Sequence, residues 1–334
     1  MRIADTHNHI VDPLRFPIVP GVGYTPRQAD EWGTFEQFDA TLGQNAVSNA
    51  LLVQPSCYGT DNSAMLDAIA RSAGRFRGIA VVDIEADDRT LHELADAGII
   101  GVRFNMMQSD RNIFARSGID RFLARIRELG WFLQCHATAP LWERLAPRLE
   151  RSGLLLIVDH FGLPAPQEGI DQPGFQALLR AARSAGNWTV KLTAPFRVMR
   201  APSESYPELL PYVEALVDAF GIDNCIWGSD WPYLNGGGGT GTTASWRPSG
   251  NGSRARRTRR GSTGRTRRGS SGSPRSGVTG AQAGRAGDAD RRERCAAGNR
   301  RACLYPGPGA VSLCRRHRLQ ADARRGRHGR GARQ

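Results

Sequence analysis

The first two thirds of the chain alternate short apolar segments with longer amphipathic ones. The apolar segments are too short and too rich in β-branched residues for helices, and we predict them to be strands. They cover residues 3–9, 46–54, 78–83, 99–105, 131–137, 154–160, 188–194 and 224–230. Segments with helical spacing lie between them, near 34–44, 61–73, 89–97, 116–129, 140–152, 173–186 and 204–220. Eight such strands alternating with helices predict an α/β fold, a closed (β/α)8 TIM barrel.

An open, doubly wound sheet is the alternative architecture. It would carry a glycine-rich phosphate-binding loop after the first strand. The stretch found there, DTHNHIVDP, is not such a loop. The barrel is therefore the favoured prediction.

The pattern ends after residue 235. Residues 236–334 consist largely of Gly, Ser, Thr, Ala and Arg, with no helical spacing of apolar positions. A segment of this kind cannot bury enough apolar surface to fold. We predict a barrel domain over residues 1–235 whose eighth helix is missing, followed by a disordered basic tail over 236–334.

Charge divides the chain at the same place. Residues 1–235 carry 21 basic and 28 acidic residues, whereas the tail carries 24 arginines and four acids. An excess of arginine favours RNA as a partner, and TRRGSTGR and TRRGSSGS form a weak repeat of the arginine-glycine type. A disordered appendage and a slip of reading frame in a GC-rich gene are the alternatives. We favour the frame slip and expect no nucleic-acid partner.

No stretch of the sequence approaches the roughly 18 apolar residues of a membrane span. The first residues do not resemble a signal peptide, and no CxxC pair occurs among the six cysteines. We expect a cytoplasmic protein with reduced thiols and no membrane partner. The oligomeric state is left open.

Polar side chains are concentrated at the carboxyl ends of the predicted strands, where barrels carry their chemistry. His7 and His9 follow one another at period two, so both face the same side of the first strand as Asp5. The later strands end in His136, in Asp159 and His160, and in Asp230. So many ionisable groups buried without a function would cost several kcal/mol, which favours an active site.

These residues carry a resemblance to a known family. DTHNHIVDP, VDHFG and WGSDWPY resemble the motifs of the amidohydrolase superfamily, in the branch of the pyrone dicarboxylate lactonases. GVGYTP, LVQPSCYGTDN, GVRFN and VKLTAPFRV are similar to the same branch. The order and spacing of the motifs over residues 3–236 make the resemblance specific.

The resemblance implies a hydrolase that opens a lactone or a related small carboxylated ring, in the catabolism of aromatic compounds. It implies that Asp230 activates water and that His7, His9 and His160 polarise the carbonyl group. Arg103 and Arg197 are candidates for the substrate carboxylates, since a guanidinium binds carboxylate with two parallel hydrogen bonds. Further candidate contacts are Tyr24, Ser56, Tyr58 and His136.

Two questions stay open in the sequence. Many amidohydrolases hold a divalent ion with such residues, whereas the pyrone lactonase type works without one. A zinc ion bound by His7, His9, His136, His160 and Asp230 and a metal-free site are both compatible with the sequence. A metal-dependent decarboxylase or hydratase of the same superfamily is the alternative reaction, and RNA binding through the tail is the alternative of another class.

Overall fold

Eight parallel strands form one sheet in this computed structural model, which describes residues 3–22, 24–26, 29–107, 113–200 and 205–235. Each strand pairs with the next along the chain. The strands are β1 (Ala4–Asn8), β2 (Asn49–Val53), β3 (Phe76–Ala80), β4 (Ile99–Asn105), β5 (Phe132–His136), β6 (Leu155–Val158), β7 (Thr189–Lys191) and β8 (Cys225–Ile226). The predicted barrel is confirmed.

Helices occupy every connection between consecutive strands. They are α1 (Phe35–Gln44), α2 (Ser63–Arg71), α3 (Asp88–Asp96), α4 (Ile119–Glu128), α5 (Ala139–Ser152), α6 (Pro173–Ala185), the short α7 (Pro195–Met199) and α8 (Leu210–Phe220). α7 and α8 both lie between β7 and β8. The predicted tail, and the place where the eighth barrel helix is expected to be missing, lie outside the described residues and stay predictions.

The barrel closes where β8 returns to β1. Thr6 N donates to Trp227 O at 3.2 Å, and Asp230 N donates to His7 O at 2.7 Å. Asp5 reinforces this contact, because its carboxylate accepts from both the backbone N–H and the hydroxyl of Ser229. The last strand is thereby fixed in register against the first.

Gly228 permits the close approach of these two segments. A Cβ at this position would lie 2.4 Å from the backbone nitrogen of His7. Any side chain here would therefore push the end of β8 away from β1.

Two apolar layers hold the barrel together. The larger one fills the space between strands and helices. The smaller one, formed by Leu51, Ile79, Ile100, Phe132 and Ile157, is separate from it. Because strand side chains alternate, Phe132 and Ile157 share the inward face of their strands with Gln134 and Asp159. The smaller cluster therefore lies inside the barrel, beneath a polar layer.

Three cysteines fall within the described residues. Cys57, Cys135 and Cys225 are buried and unpaired, as predicted for reduced thiols. Among the described helices, none combines the length and the apolar composition that crossing a bilayer requires.

We expect Gly174→Ala to destabilise the barrel. Gly174 lies in the first turn of α6, and an added Cβ would be 1.7 Å from the carbonyl oxygen of Ala139 in α5. Backbone atoms cannot move aside cheaply, so we expect a loss of about 1–3 kcal/mol in the free energy of unfolding, measured by urea denaturation.

Gly43→Ala is the matched control for this prediction. Gly43 is exposed in α1, with no atom within 4 Å of an added Cβ, so alanine should be neutral or stabilise by about 0.5–1 kcal/mol. Similar effects of the two substitutions would contradict the close contact between α5 and α6.

Candidate active site

A cavity of about 880 Å³ opens at the carboxyl ends of the strands. Eight of the ten site residues predicted from sequence line it; the other two are His7 and Tyr58. Both of these are buried, His7 at 0% and Tyr58 at 1% exposure. The fold therefore brings residues on or after seven different strands to one place.

The centre of the site is formed by His7, His9, His160 and Asp230. Asp230 Oδ1 lies 3.5 Å from His7 Nε2 and 3.6 Å from His9 Nε2. The rings of His7 and His160 have centroids 4.5 Å apart. All four side chains are at most 5% exposed, so their interactions act in a largely desolvated environment.

Two of these residues have an unusual backbone conformation. His160 has a φ of 47° and Asp230 a φ of 63°, in the left-handed region that non-glycine residues rarely adopt. Such conformations cost about 1–3 kcal/mol each and are concentrated at active sites. His160 follows β6 and Asp230 follows β8, and both side chains enter the site.

Hydrogen bonds fix the proton of His9. Its Nδ1 lies 2.8 Å from the carbonyl oxygen of Val53, which can only accept, so Nδ1 carries the proton. His9 Nε2 then carries a lone pair that faces the Asp230 carboxylate. Two acceptors repel each other at the 3.6 Å that separates Nε2 from Asp230 Oδ1. Something that carries positive charge or two donors belongs between them: a cation, or a water molecule.

Two buried polar atoms at the same place lack partners in the described part of the chain. His7 Nε2 and Asp230 Oδ1 are buried and have no hydrogen-bond partner among the described residues. Ligand atoms of His7, His160 and Asp230 lie within 4.8 Å of one another. His160 Nδ1 is bonded to Thr193 Oγ1 at 2.8 Å, which leaves Nε2 as its available ligand atom. Imidazole with carboxylate is a donor set that suits zinc.

Two of the five ligands predicted from sequence, His9 and His136, do not belong to this mutually close group. His136 has other partners. Its Nδ1 lies 3.2 Å from Arg103 Nη2, so it accepts a hydrogen bond from the guanidinium. Its other side faces His160, at a centroid distance of 5.2 Å. The structure thus places His136 on the cavity wall beside Arg103.

A polar layer beneath the histidines was largely missed by sequence reasoning. Asp159 Oδ2 accepts from Arg103 Nε at 3.2 Å and from Gln134 Nε2 at 3.1 Å. Lys191 Nζ donates to Gln134 Oε1 at 2.8 Å. Gln134 and Lys191 had a readable signal: each is a polar residue at an inward-facing position of an otherwise apolar strand.

Burial and neighbouring charge together set the protonation of the layer. Burial alone would raise the pKa of Asp159, but the positive charges around it hold that pKa well below its usual range. Burial, with Lys191 as the next contribution, lowers the pKa of His7 to about 3, so His7 is neutral at pH 7. Burial also lowers the pKa of Lys191, to about 8.

Arg197 is bound to the carboxylate that the sequence assigns as the base. Its Nε donates to Asp230 Oδ2 at 2.6 Å, and its Nη2 donates to Leu234 O at 2.7 Å. Burial by itself would raise the pKa of Asp230, but the charge of Arg197 keeps it well below the usual range. Asp230 is therefore ionised, with Oδ2 occupied and Oδ1 directed at the histidines.

The three loop residues predicted to contact substrate have different surroundings. Tyr24 and Ser56 line the cavity, and the Tyr24 hydroxyl is bonded to Glu31. Glu31 also accepts from the backbone of Asn235, which links this loop to the segment after β8. Tyr58 lies behind the wall, where its hydroxyl accepts from Asp12 N at 3.0 Å. The structure therefore gives Tyr58 a packing role and no contact with the cavity.

Comparison with known proteins identifies the protein family. The amidohydrolase family profile matches residues 4–247, and the chain belongs to this family. The match covers almost all of the described residues, so family membership applies to the whole barrel.

Within this family, the chain is similar to several named hydrolases. The chain is 30% identical over 240 residues to a 2-pyrone-4,6-dicarboxylate hydrolase of Comamonas testosteroni, covering 70% of this chain and 77% of that one. It is 33% identical over 236 residues to a 4-sulfomuconolactone hydrolase of Hydrogenophaga intermedia, covering 69% and 74%. A probable 2-pyrone-4,6-dicarboxylic acid hydrolase of Acinetobacter baumannii, crystallised with citric acid, has a TM-score of 0.63 and 28% identity, covering 70% and 85%.

Neutral histidines in the site, among them the partly buried His136, predict acid sensitivity. Burial, with Arg103 next, lowers the pKa of His136 to about 3, below the ordinary value of 6.5. Between these two values the unfolded chain binds a proton that the folded chain does not, so stability falls as the pH drops from about 6.5 towards 3. Each such group contributes a slope of up to about 1.4 kcal/mol per pH unit.

We expect His136→Gln to reduce this slope by up to about 1.4 kcal/mol per pH unit, the contribution of one titrating group. Glutamine can still accept the hydrogen bond from Arg103 but does not titrate. The measurement is urea denaturation at several pH values between 4 and 7. His92→Gln, on the exposed face of α3, is the control. Identical slopes in wild type and His136→Gln would contradict the prediction.

Proposed function

We propose that this protein hydrolyses a small lactone that carries at least one anionic group. The observation that carries the proposal is the ionised Asp230, held by Arg197 through one oxygen and directed at neutral His7 and His9 through the other. Relatives named as hydrolases of a pyrone dicarboxylate and of a sulfomuconolactone support the choice of substrate class. Both names describe anionic lactones.

The chain's own residues account for the proton transfers. Asp230 Oδ1 accepts a proton from water as the water oxygen bonds to the lactone carbonyl carbon. The ring C–O bond then breaks, and Asp230 returns the proton to the departing ring oxygen. Water and lactone are consumed and a ring-opened acid is formed. Arg197 keeps the carboxylate oriented through both steps.

Arg103 and Arg197 also supply charge for the substrate. Each guanidinium has five N–H donors, and two of them donate to residues in the described part of the chain. The remaining donors are available to an anionic group in the cavity that both residues line. His136, neutral and adjacent to Arg103, adds a polar contact without adding charge.

We further propose that His7, His160 and Asp230, with His9 adjacent, hold one divalent ion, with zinc as the best match. The unsatisfied His7 Nε2 and Asp230 Oδ1 support it, as does the His9 lone pair that faces Asp230. A bound ion of this kind polarises a carbonyl group and lowers the pKa of a bound water. The metal-free alternative places a water molecule in the same gap, donating to His9 Nε2 and Asp230 Oδ1.

Asp230→Asn is expected to lower turnover of 2-pyrone-4,6-dicarboxylate or 4-sulfomuconolactone by about 10²–10⁴, the contribution of a general base. Asparagine keeps the shape of the side chain and loses its basicity. Asp223→Asn, in the turn before β8, is the matched control and should retain wild-type turnover. The product is identified by NMR: a ring-opened acid supports hydrolysis, whereas released carbon dioxide would assign the protein to the decarboxylases.

Arg103→Met and Arg197→Met are each expected to weaken binding of a dianionic lactone by about 1.5–3 kcal/mol, the scale of a charge-assisted hydrogen bond. Binding of a neutral lactone of similar size should change far less, because it offers no charge to the guanidinium. The measurement is the KM or the inhibition constant for the two ligands. Equal losses for both ligands would mean that the arginines only support the structure.

Metal content tests the ion directly. We expect protein purified without chelators to contain about one equivalent of divalent metal by elemental analysis, and a chelator to lower its melting temperature. The double variant His7→Gln, His160→Gln should bind no metal and show no response to the chelator. Full activity in protein shown to be metal-free would establish the alternative in which water fills the gap.

A further inference from the structure

Lys191 is the only lysine of the chain, and it is completely buried. It lies on β7, inside the barrel, where a charged side chain is expensive unless it is paired. Its Nζ contacts Gln134 Oε1 at 2.8 Å and His7 Nδ1 at 3.3 Å, and lies 3.9 Å from Asp159 Oδ1. None of these contacts reaches the cavity, so the reaction described above gives this residue no part.

Two opposite groups face the same nitrogen of His7. Lys191 Nζ, a donor, and Asp159 Oδ1, an acceptor, each lie 3.3 Å from His7 Nδ1. A neutral imidazole carries one proton, so the two contacts cannot both be hydrogen bonds at once. If Lys191 donates to Nδ1, the proton is on Nε2. If Asp159 accepts from Nδ1, then Nε2 is a lone pair.

The other hydrogen bonds of this layer are fixed. Gln134 donates through Nε2 to Asp159 Oδ2, so its Oε1 is the acceptor for Lys191. Arg103 also donates to Asp159 Oδ2. Asp159 Oδ1, by contrast, is buried and has no hydrogen-bond partner in the described part of the chain. These bonds do not determine which ring nitrogen of His7 carries the proton.

The tautomer of His7 affects the reaction centre, because His7 Nε2 lies 3.5 Å from Asp230 Oδ1. A lone pair there suits a metal ion, and an N–H there suits a direct contact with the carboxylate. We propose that Lys191 is a positioning residue that competes with Asp159 for His7 Nδ1 and so decides whether His7 offers a lone pair or an N–H to the centre of the site.

Two substitutions should shift the proton in opposite directions. Lys191→Met removes the donor and leaves Asp159 alone at Nδ1, which favours the Nδ1–H form. Asp159→Asn acts the other way: Arg103 and Gln134 both donate to one side of this group, so the amide oxygen turns towards them. The amide NH2 then faces His7 Nδ1 and favours the Nε2–H form.

The first experiment reads the tautomer in metal-free protein. Ring nitrogen shifts are measured by NMR on wild type, Lys191→Met and Asp159→Asn labelled with 15N-histidine, and His7→Gln assigns the His7 signals. We expect a larger Nδ1–H population in Lys191→Met and a larger Nε2–H population in Asp159→Asn. This test is independent of catalysis and of whether a metal is bound.

The second experiment rests on the metal site proposed above and measures zinc affinity by competition with a chelator. We expect Asp159→Asn to bind zinc about 10–100-fold more weakly, the usual effect of losing the partner of a ligating histidine. Lys191→Met should bind zinc at least as tightly as wild type. A merely structural role would weaken zinc binding in both variants, since each loses one buried charge.

Circular dichroism melts establish that the variants are folded, and Lys191→Leu replaces Lys191→Met if the latter does not fold. The proposal is overturned if the His7 tautomer is the same in all three proteins, or if the two substitutions weaken zinc binding to a similar extent. A wild-type protein that binds no zinc, but whose His7 tautomer shifts as expected, would refute the metal site and leave the role of Lys191 intact.

Discussion

The junction between the first and last strands is the contact on which the site depends. β1 carries His7 and His9, and the segment after β8 carries Asp230, more than 220 residues later. The backbone hydrogen bond from Asp230 to His7, together with the bonds of Asp5 to Ser229, sets the distance between base and histidines. A side chain at residue 228 would push the two strands apart. All the site residues would still be present, but the distances between them would change.

Charge compensation inside the barrel is the second constraint. Asp159 and Asp230 are both fully buried, and each is matched by an arginine at the cavity wall. An unmatched charge in this position would cost several kcal/mol. The pairing keeps both carboxylates ionised, and among the described residues it uses only part of the donor capacity of each guanidinium. The same arginines can therefore stabilise the fold and still face an anionic substrate.

The environment inside the barrel also keeps the four site histidines neutral. Desolvation lowers the pKa of each of the four, and the cations nearby lower it further for His7, His9 and His136. A neutral imidazole can ligate a metal or accept a proton, which its charged form cannot do. The position of each single proton then depends on the partner of the second ring nitrogen: a carbonyl for His9, a hydroxyl for His160 and two competing groups for His7.

The sequence by itself determined the barrel, because apolar strands of period two and helices of period 3.6 are local patterns that need no knowledge of contacts. It also placed His7, His9, His136, His160 and Asp230 together, since parallel strands bring their carboxyl ends to one face. Only the tertiary structure showed that Tyr58 is turned away from the cavity and that Gln134, Asp159 and Lys191 form a layer beneath the histidines. Those contacts join residues on different strands at the same depth in the barrel, and strand periodicity gives the face on which a residue lies but not the partner that it meets across the interior.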